Sequence, residues 1–133
     1  MSEPVHTHYR VIYGDTDQMQ VVYYANYLRF AELGRNEYIR AKGLPYKEIE
    51  QRFRIHLPVV EANLRYLHSA RYDDLLRIET SIKEVRRASL TFQYRVCRAA
   101  DDRVLVEGHT AHACITFEGR PTRLPEEVVS RLD

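Results

Sequence analysis

The chain has 133 residues, 44% of them hydrophobic and 29% charged, with a formal net charge of +1. This is ordinary globular composition for one domain, taken as residues 1–133, and the near-neutral charge argues against nucleic-acid or other polyanion binding as its main business, while local Lys/Arg clusters could still meet a phosphate. No signal peptide opens the chain at Met1-Ser2-Glu3-Pro4, no apolar stretch reaches the ~20 residues that cross a bilayer, and Cys97 and Cys114 are too few for a disulfide framework. A soluble, cytoplasmic protein with buried free thiols is expected.

His8 to Tyr13 alternates, with Tyr9, Val11 and Tyr13 on one side, which predicts a first strand broken by Gly14. A helix begins between Tyr24 and Asn26 and runs to Lys42. Tyr27, Phe30, Ala31, Gly34, Tyr38 and Ala41 share one face at helical spacing, and Leu28, Leu33 and Ile39 widen it. A helix this apolar is largely surrounded by protein. Gly34 costs about 1 kcal/mol relative to alanine in mid-helix, which implies close packing against a sheet. Gly43, followed by Pro45, stops the helix. Tyr46 to Arg52 adds one or two helical turns.

The texture then changes to period two. Val60 to Tyr66, Leu76 to Lys83 and Leu90 to Val96 each alternate as strands. Val104 to Phe117 is longer and changes phase, as a bulge or bend requires. Short polar breaks at 69–74, 86–88 and 100–102 suit tight connections, and Pro125 opens a short final helix to Leu132. The order is strand, long helix, four antiparallel strands. An α+β fold follows, a five-stranded antiparallel sheet wrapped around one long central helix.

The chemistry concentrates ahead of that helix. Tyr13-Gly14-Asp15-Thr16-Asp17 sets two carboxylates one residue apart in a turn before the helix start. A helix N-terminus presents unpaired N–H groups and a partial positive charge. Such groups can hold the negative charge that develops on a carbonyl oxygen during acyl transfer. The plain alternative for either acid is a turn-stabilising or capping role, the better reading for Asp15.

The motif Tyr13-Gly14-Asp15-Thr16-Asp17, followed by Val21-Val22-Tyr23-Tyr24-Ala25-Asn26-Tyr27-Leu28-Arg29, resembles the 4-hydroxybenzoyl-CoA thioesterases of hotdog fold and their relatives, the Tol-Pal-associated acyl-CoA thioesterases. Gly43-Leu44-Pro45, Ala70-Arg71-Tyr72-Asp73-Asp74 and Arg86-Arg87 match more weakly. The resemblance implies hydrolysis of a short-chain or aromatic acyl-CoA without metal or organic cofactor, in a homodimer or homotetramer with sites at subunit interfaces. It implies Asp17 as catalytic carboxylate, nucleophile or general base, and the Tyr24 backbone N–H as oxyanion donor. It also points Arg86 and Arg87 at the coenzyme A phosphates, against the plain reading of solvated turn charges, although Ala88 stands at the family's third basic position. Ser89, just beyond, is a further candidate that reads more plainly as a strand residue. The family has glycine where this chain has Gln20, three residues past Asp17. Glycine there implies a backbone turn other residues adopt poorly, or close approach of substrate.

Other polar residues read more plainly. Glu61 falls in a strand pattern, and Glu32 and Glu37 have arginines nearby on the helix. The six histidines are scattered; His109 and His112, three apart in a strand, point to opposite faces and form no metal pair. His56, before Leu57-Pro58, is a candidate for the acyl pocket. Acyl carrier protein in place of coenzyme A, a non-catalytic acyl-binding module, a hydratase or dehydratase, and a protein–protein scaffold remain as alternatives.

Overall fold

The computed structural model describes residues 3–133; Met1 and Ser2, part of the stretch read for a signal peptide, lie outside them. In chain order it forms β1 (Val5–Arg10), α1 (Asn26–Ala41), α2 (Tyr46–Phe53), β2 (Ile55–His56), β3 (Val59–Tyr66) and β4 (Leu75–Val85). There follow β5 (Ser89–Arg98), β6 (Arg103–Ala113), β7 (Ile115–Thr116) and α3 (Glu126–Leu132). Five strands make one antiparallel sheet in the order β1-β4-β5-β6-β3, and β2 pairs with β7 in a small separate ladder. No helix among the described residues is long and apolar enough to cross a membrane.

The sheet wraps α1, as the sequence pattern predicts. Tyr27, Phe30, Ala31, Gly34, Tyr38 and Ile39 are the buried residues of the helix. Gly34 is the point of closest approach. A Cβ there would collide with the Thr80 hydroxyl and come within 2.6 Å of the Ile78 Cγ2 on β4. Two apolar clusters fill the space between helix and sheet. One joins Tyr27 and Phe30 to Leu76, Ile78, Val96 and Leu105 below the helix start. The other joins Tyr38 and Ile39 to Phe92, Ile82, α2 and α3 below its end. The Tyr38 hydroxyl donates to the Leu132 carbonyl at 2.6 Å, which ties α3 down. Cys97 and Cys114 are free and buried.

Two strand expectations are corrected. β1 ends at Arg10 rather than Tyr13, and Tyr13 is 78% exposed in a short 3-10 turn. The Asp15 carboxyl accepts the Ile12 N–H and turns the chain out of the sheet. The run from Val104 to Phe117 is two strands, broken at Cys114. Its phase change is a bulge: the register slips between Val96 and Cys97, so Leu105 and Val106 are both buried.

The core contains one polar chain. The Tyr94 hydroxyl meets Thr110 Oγ1 at 2.6 Å, Thr110 meets His112 Nε2 at 2.7 Å, and His112 Nδ1 lies 2.8 Å from the Leu57 carbonyl. Burial, with some help from the Arg35 charge, depresses the His112 pKa to about 4. Its folded pKa lies below the unfolded value, so its contribution to stability is full above pH ~6.5 and is lost as pH falls toward 4.

Two outcomes follow. Denaturant titrations of the wild type lose stability between pH 6.5 and 4, by at most ~3 kcal/mol from this group, and His112→Gln flattens that slope. Gly34→Ala lowers the unfolding free energy by about 1–3 kcal/mol, because overpacking against Ile78 and Thr80 outweighs alanine's better helix propensity.

Candidate active site

The loop between β1 and α1 is pinned by Asp15, which is 1% exposed. Its Oδ2 accepts from the Tyr9 hydroxyl at 2.7 Å and the Ile12 N–H at 2.9 Å, and Arg29 of α1 stands 3.7 Å from Oδ1. Its carbonyl accepts the Tyr23 N–H and the Asn26 side-chain amide, both at 2.9 Å. One residue thus ties the end of β1 to the start of α1, the structural role expected of it.

Asp17 faces a different environment. Its N–H donates to the Val21 carbonyl and its carbonyl accepts the Gln20 N–H, which closes a tight turn. Oδ1 accepts the Met19 N–H at 2.9 Å, and no donor among the described residues reaches Oδ2. Gln20 has φ +66°, the left-handed region that favours glycine. Backbone conformation therefore accounts for glycine at this place in the family pattern; a residue with a Cβ costs roughly 1–2 kcal/mol there.

At the helix entry, Asn26 N–H bonds to Tyr23 and Tyr27 N–H to Tyr24. The Tyr24 N–H donates to no acceptor among the described residues. Asp17 and Tyr24 line one depression of about 210 Å³, together with Met19, Tyr27, Tyr66 and His68. Asp17 also lines a larger one, about 770 Å³, with Tyr13, Gln20, Arg71 and Tyr72. The aromatic walls are tied to each other and to the backbone. The Tyr66 hydroxyl donates to the Tyr24 carbonyl at 3.1 Å, and the Tyr27 hydroxyl accepts the Ala70 N–H. Burial raises the pKa of Tyr27, and the neighbouring Tyr24 hydroxyl raises that of Tyr23, so these phenols stay protonated.

Sequence reasoning did not single out Tyr66, His68, Arg71 or Tyr72 as site residues. The only signal was the Ala70–Asp74 match, which holds this connection against the acidic loop: Val22 N–H bonds to Ala70, and Val11 N–H to Asp74.

The remaining expected residues are not brought to Asp17 within one chain. Arg86 and Arg87 follow the far end of β4, and Ser89 starts β5. The 11 residues of β4 separate them from the Asp17 loop by roughly 35 Å of strand. Arg86 pairs with Glu84 at 3.0 Å. His56 is at that far end too, 2.7 Å from Glu50 and stacked on Phe117. Of the helix acids, Glu37 pairs with Arg40, as expected. Glu32 has no such partner among the described residues. Glu61 is exposed, 3.5 Å from His109.

The strained turn gives a direct test. Gln20→Gly raises the unfolding free energy by about 0.5–1 kcal/mol, whereas Gln20→Val lowers it, both read by denaturant titration.

A family model described as the thioesterase-like superfamily matches residues 11–132. The acyl-CoA thioesterase YbgC of Haemophilus influenzae is 33% identical over 120 residues, covering 90% of this chain and 87% of its own. The 4-hydroxybenzoyl-CoA thioesterase of Pseudomonas sp. strain CBS-3 is 33% identical over 100 residues, 74% of this chain and 71% of its own. A solved structure of the 4-hydroxybenzoyl-CoA thioesterase from that strain superposes with a TM-score of 0.89 at 26% identity, covering 98% of this chain and 99% of that one. With its antiparallel sheet closed around α1 and this match over nearly its whole length, the chain belongs to the thioesterase-like superfamily and has the hotdog fold.

Proposed function

We propose that the protein hydrolyses an acyl-CoA thioester to the carboxylic acid and free coenzyme A, with Asp17 as catalytic carboxylate and the Tyr24 N–H as oxyanion donor. The observation that carries this reading is one depression lined by both Asp17 and Tyr24, whose N–H lacks a protein acceptor. The relatives named above as acyl-CoA thioesterases support the reaction class.

Attack on the thioester carbonyl moves charge onto its oxygen, where the helix-entry N–H stabilises it; one such donor is worth about 3 kcal/mol. Two routes use the same groups. Asp17 attacks directly, expelling the thiolate and leaving a mixed anhydride that water hydrolyses. Alternatively, Asp17 takes a proton from the attacking water, and the collapsing intermediate expels the thiolate. Either way one water is consumed, and the products are one acid and one thiol. Tyr24, Tyr27 and Tyr66 suit a flat aromatic or a short aliphatic acyl group.

The working unit is a dimer, from which a tetramer is built. β3 is a sheet edge exposed on both faces, with Val59, Val60, Tyr66 and Leu67 all 42–64% exposed. Such an edge is a template for another strand. Two copies of β3 pairing antiparallel about a two-fold set the Val59 end of one against the Tyr66 end of the other. That brings the partner's far end, with its Arg86, Arg87, Ser89 and His56, toward the Asp17 of the first. Arg86 and Arg87 then meet the coenzyme A phosphates. Two buried free thiols suit a reducing cytoplasm.

Free-thiol release from short, long and aromatic acyl-CoAs tests the reading, with Asp17→Asn beside the wild type. At least one thioester is cleaved, and Asp17→Asn cuts that rate about 100-fold or more with folding intact by circular dichroism. An unchanged rate in Asp17→Asn overturns the mechanism, and acyl-CoA binding without turnover in either protein makes this a binding module.

A further inference from the structure

We infer that Arg35 reads the distal end of the acyl group and selects acyl chains that end in a carboxylate. The inference rests on the composite dimeric site proposed above.

Arg35 lines a cavity of about 220 Å³ between α1 and the sheet, with Asn36, Tyr46, Leu57, Val59 and Phe92 among its walls. The walls are apolar and polar in about equal part, and Arg35 itself is half-buried. Its neighbours on α1 have carboxylate partners: Arg29 has Asp15, and Arg40 has Glu37. No carboxylate among the described residues pairs with Arg35. Glu32 also lines the cavity, but it is exposed and shared with the next depression, beside Tyr9 and Arg29.

The charge of the guanidinium is felt by Tyr46 and His112, which line the cavity, and by Tyr94. All three of these groups are neutral near pH 7, so none cancels it. A half-buried guanidinium without a counter-ion is an open anion site, and its planar fork matches a carboxylate with two parallel bonds.

The cavity is also in the right place. Val59, on its wall, opens β3, and Tyr66, on the wall of the Asp17 depression, closes it. Antiparallel pairing of the eight-residue strand with its copy sets Val59 of one protomer beside Tyr66 of the other. The Asp17 depression of one subunit therefore opens toward the Arg35 cavity of its partner. A thioester carbonyl held at Asp17 and Tyr24 sends its acyl chain across the interface, apolar in the middle and ending at Arg35. Nothing in the hydrolytic step requires that group, so Arg35 sets which acid is released rather than how.

The test uses thioester pairs that differ only at the terminus: adipyl- against hexanoyl-CoA, and glutaryl- against pentanoyl-CoA. The readout is the ratio of kcat/KM within each pair, so a general loss of active protein cancels. In the wild type at least one pair favours the dicarboxylate by about 10-fold or more, and Arg35→Met abolishes that preference. Arg35→Lys, which keeps the charge and loses the fork, falls between them. Equal ratios in the wild type and Arg35→Met overturn the inference. If no thioester is hydrolysed, the catalytic reading fails separately, and calorimetric binding of adipyl- and hexanoyl-CoA reads the same ratio. A wild type that binds both equally, or neither, overturns the role of Arg35.

Discussion

The buried carboxyl of Asp15 is the constraint on which the site depends. It gathers the Tyr9 hydroxyl, the Ile12 N–H and the Arg29 guanidinium, while its carbonyl holds Tyr23 and Asn26. Strand, turn and helix start are thereby fixed to one residue. The turn that presents Asp17 and the helix entry that presents the Tyr24 N–H both hang from it. Asp17 itself spends one oxygen on a local N–H and leaves the other without a donor among the described residues. Two acids separated by one threonine thus divide the work: Asp15 holds the loop, and Asp17 is the one proposed to react.

A second constraint acts at the scale of the sheet. Gly34 lets α1 settle onto β4, and the sheet curls around it. Closure on that side leaves β3 bare on the other, with four large apolar residues exposed. Along that edge Asp17 lies at one end, and Arg35 and the pair Arg86-Arg87 lie toward the other. Within a single copy the aromatic depression beside Asp17 lies apart from Arg86 and Arg87. The proposed pairing of the bare edges about a two-fold would cover the exposed surface and bring the two ends together.

Much of this was legible in the sequence, for reasons that differ by element. The 3.6-residue face of α1 and the alternation in β3, β4 and β5 survive because each buries one side. Gly34 was readable as a contact point because glycine has no other reason to sit mid-helix. The end of β1 was not, because the Tyr9-Val11-Tyr13 alternation continues past the point where Asp15 captures Ile12 N–H. Gln20 was readable as an anomaly, and its positive φ supplies the cause. Tyr66, His68, Arg71 and Tyr72 carry no local signature, since only the sheet topology brings them to the acidic loop. Arg35 looked like ordinary helix polarity, and only the folded chain leaves it without a carboxylate.

The most direct test of this division of labour compares the unfolding free energies of Asp15→Ala and Asp17→Asn with the wild type in one denaturant series. Asp15→Ala strands the Tyr9 hydroxyl and the Ile12 N–H and loses about 3 kcal/mol, while Asp17→Asn, which keeps the Met19 bond, stays within about 0.5 kcal/mol. A large loss in Asp17→Asn with Asp15→Ala unaffected would contradict the account, because Asp17 would then be the structural acid.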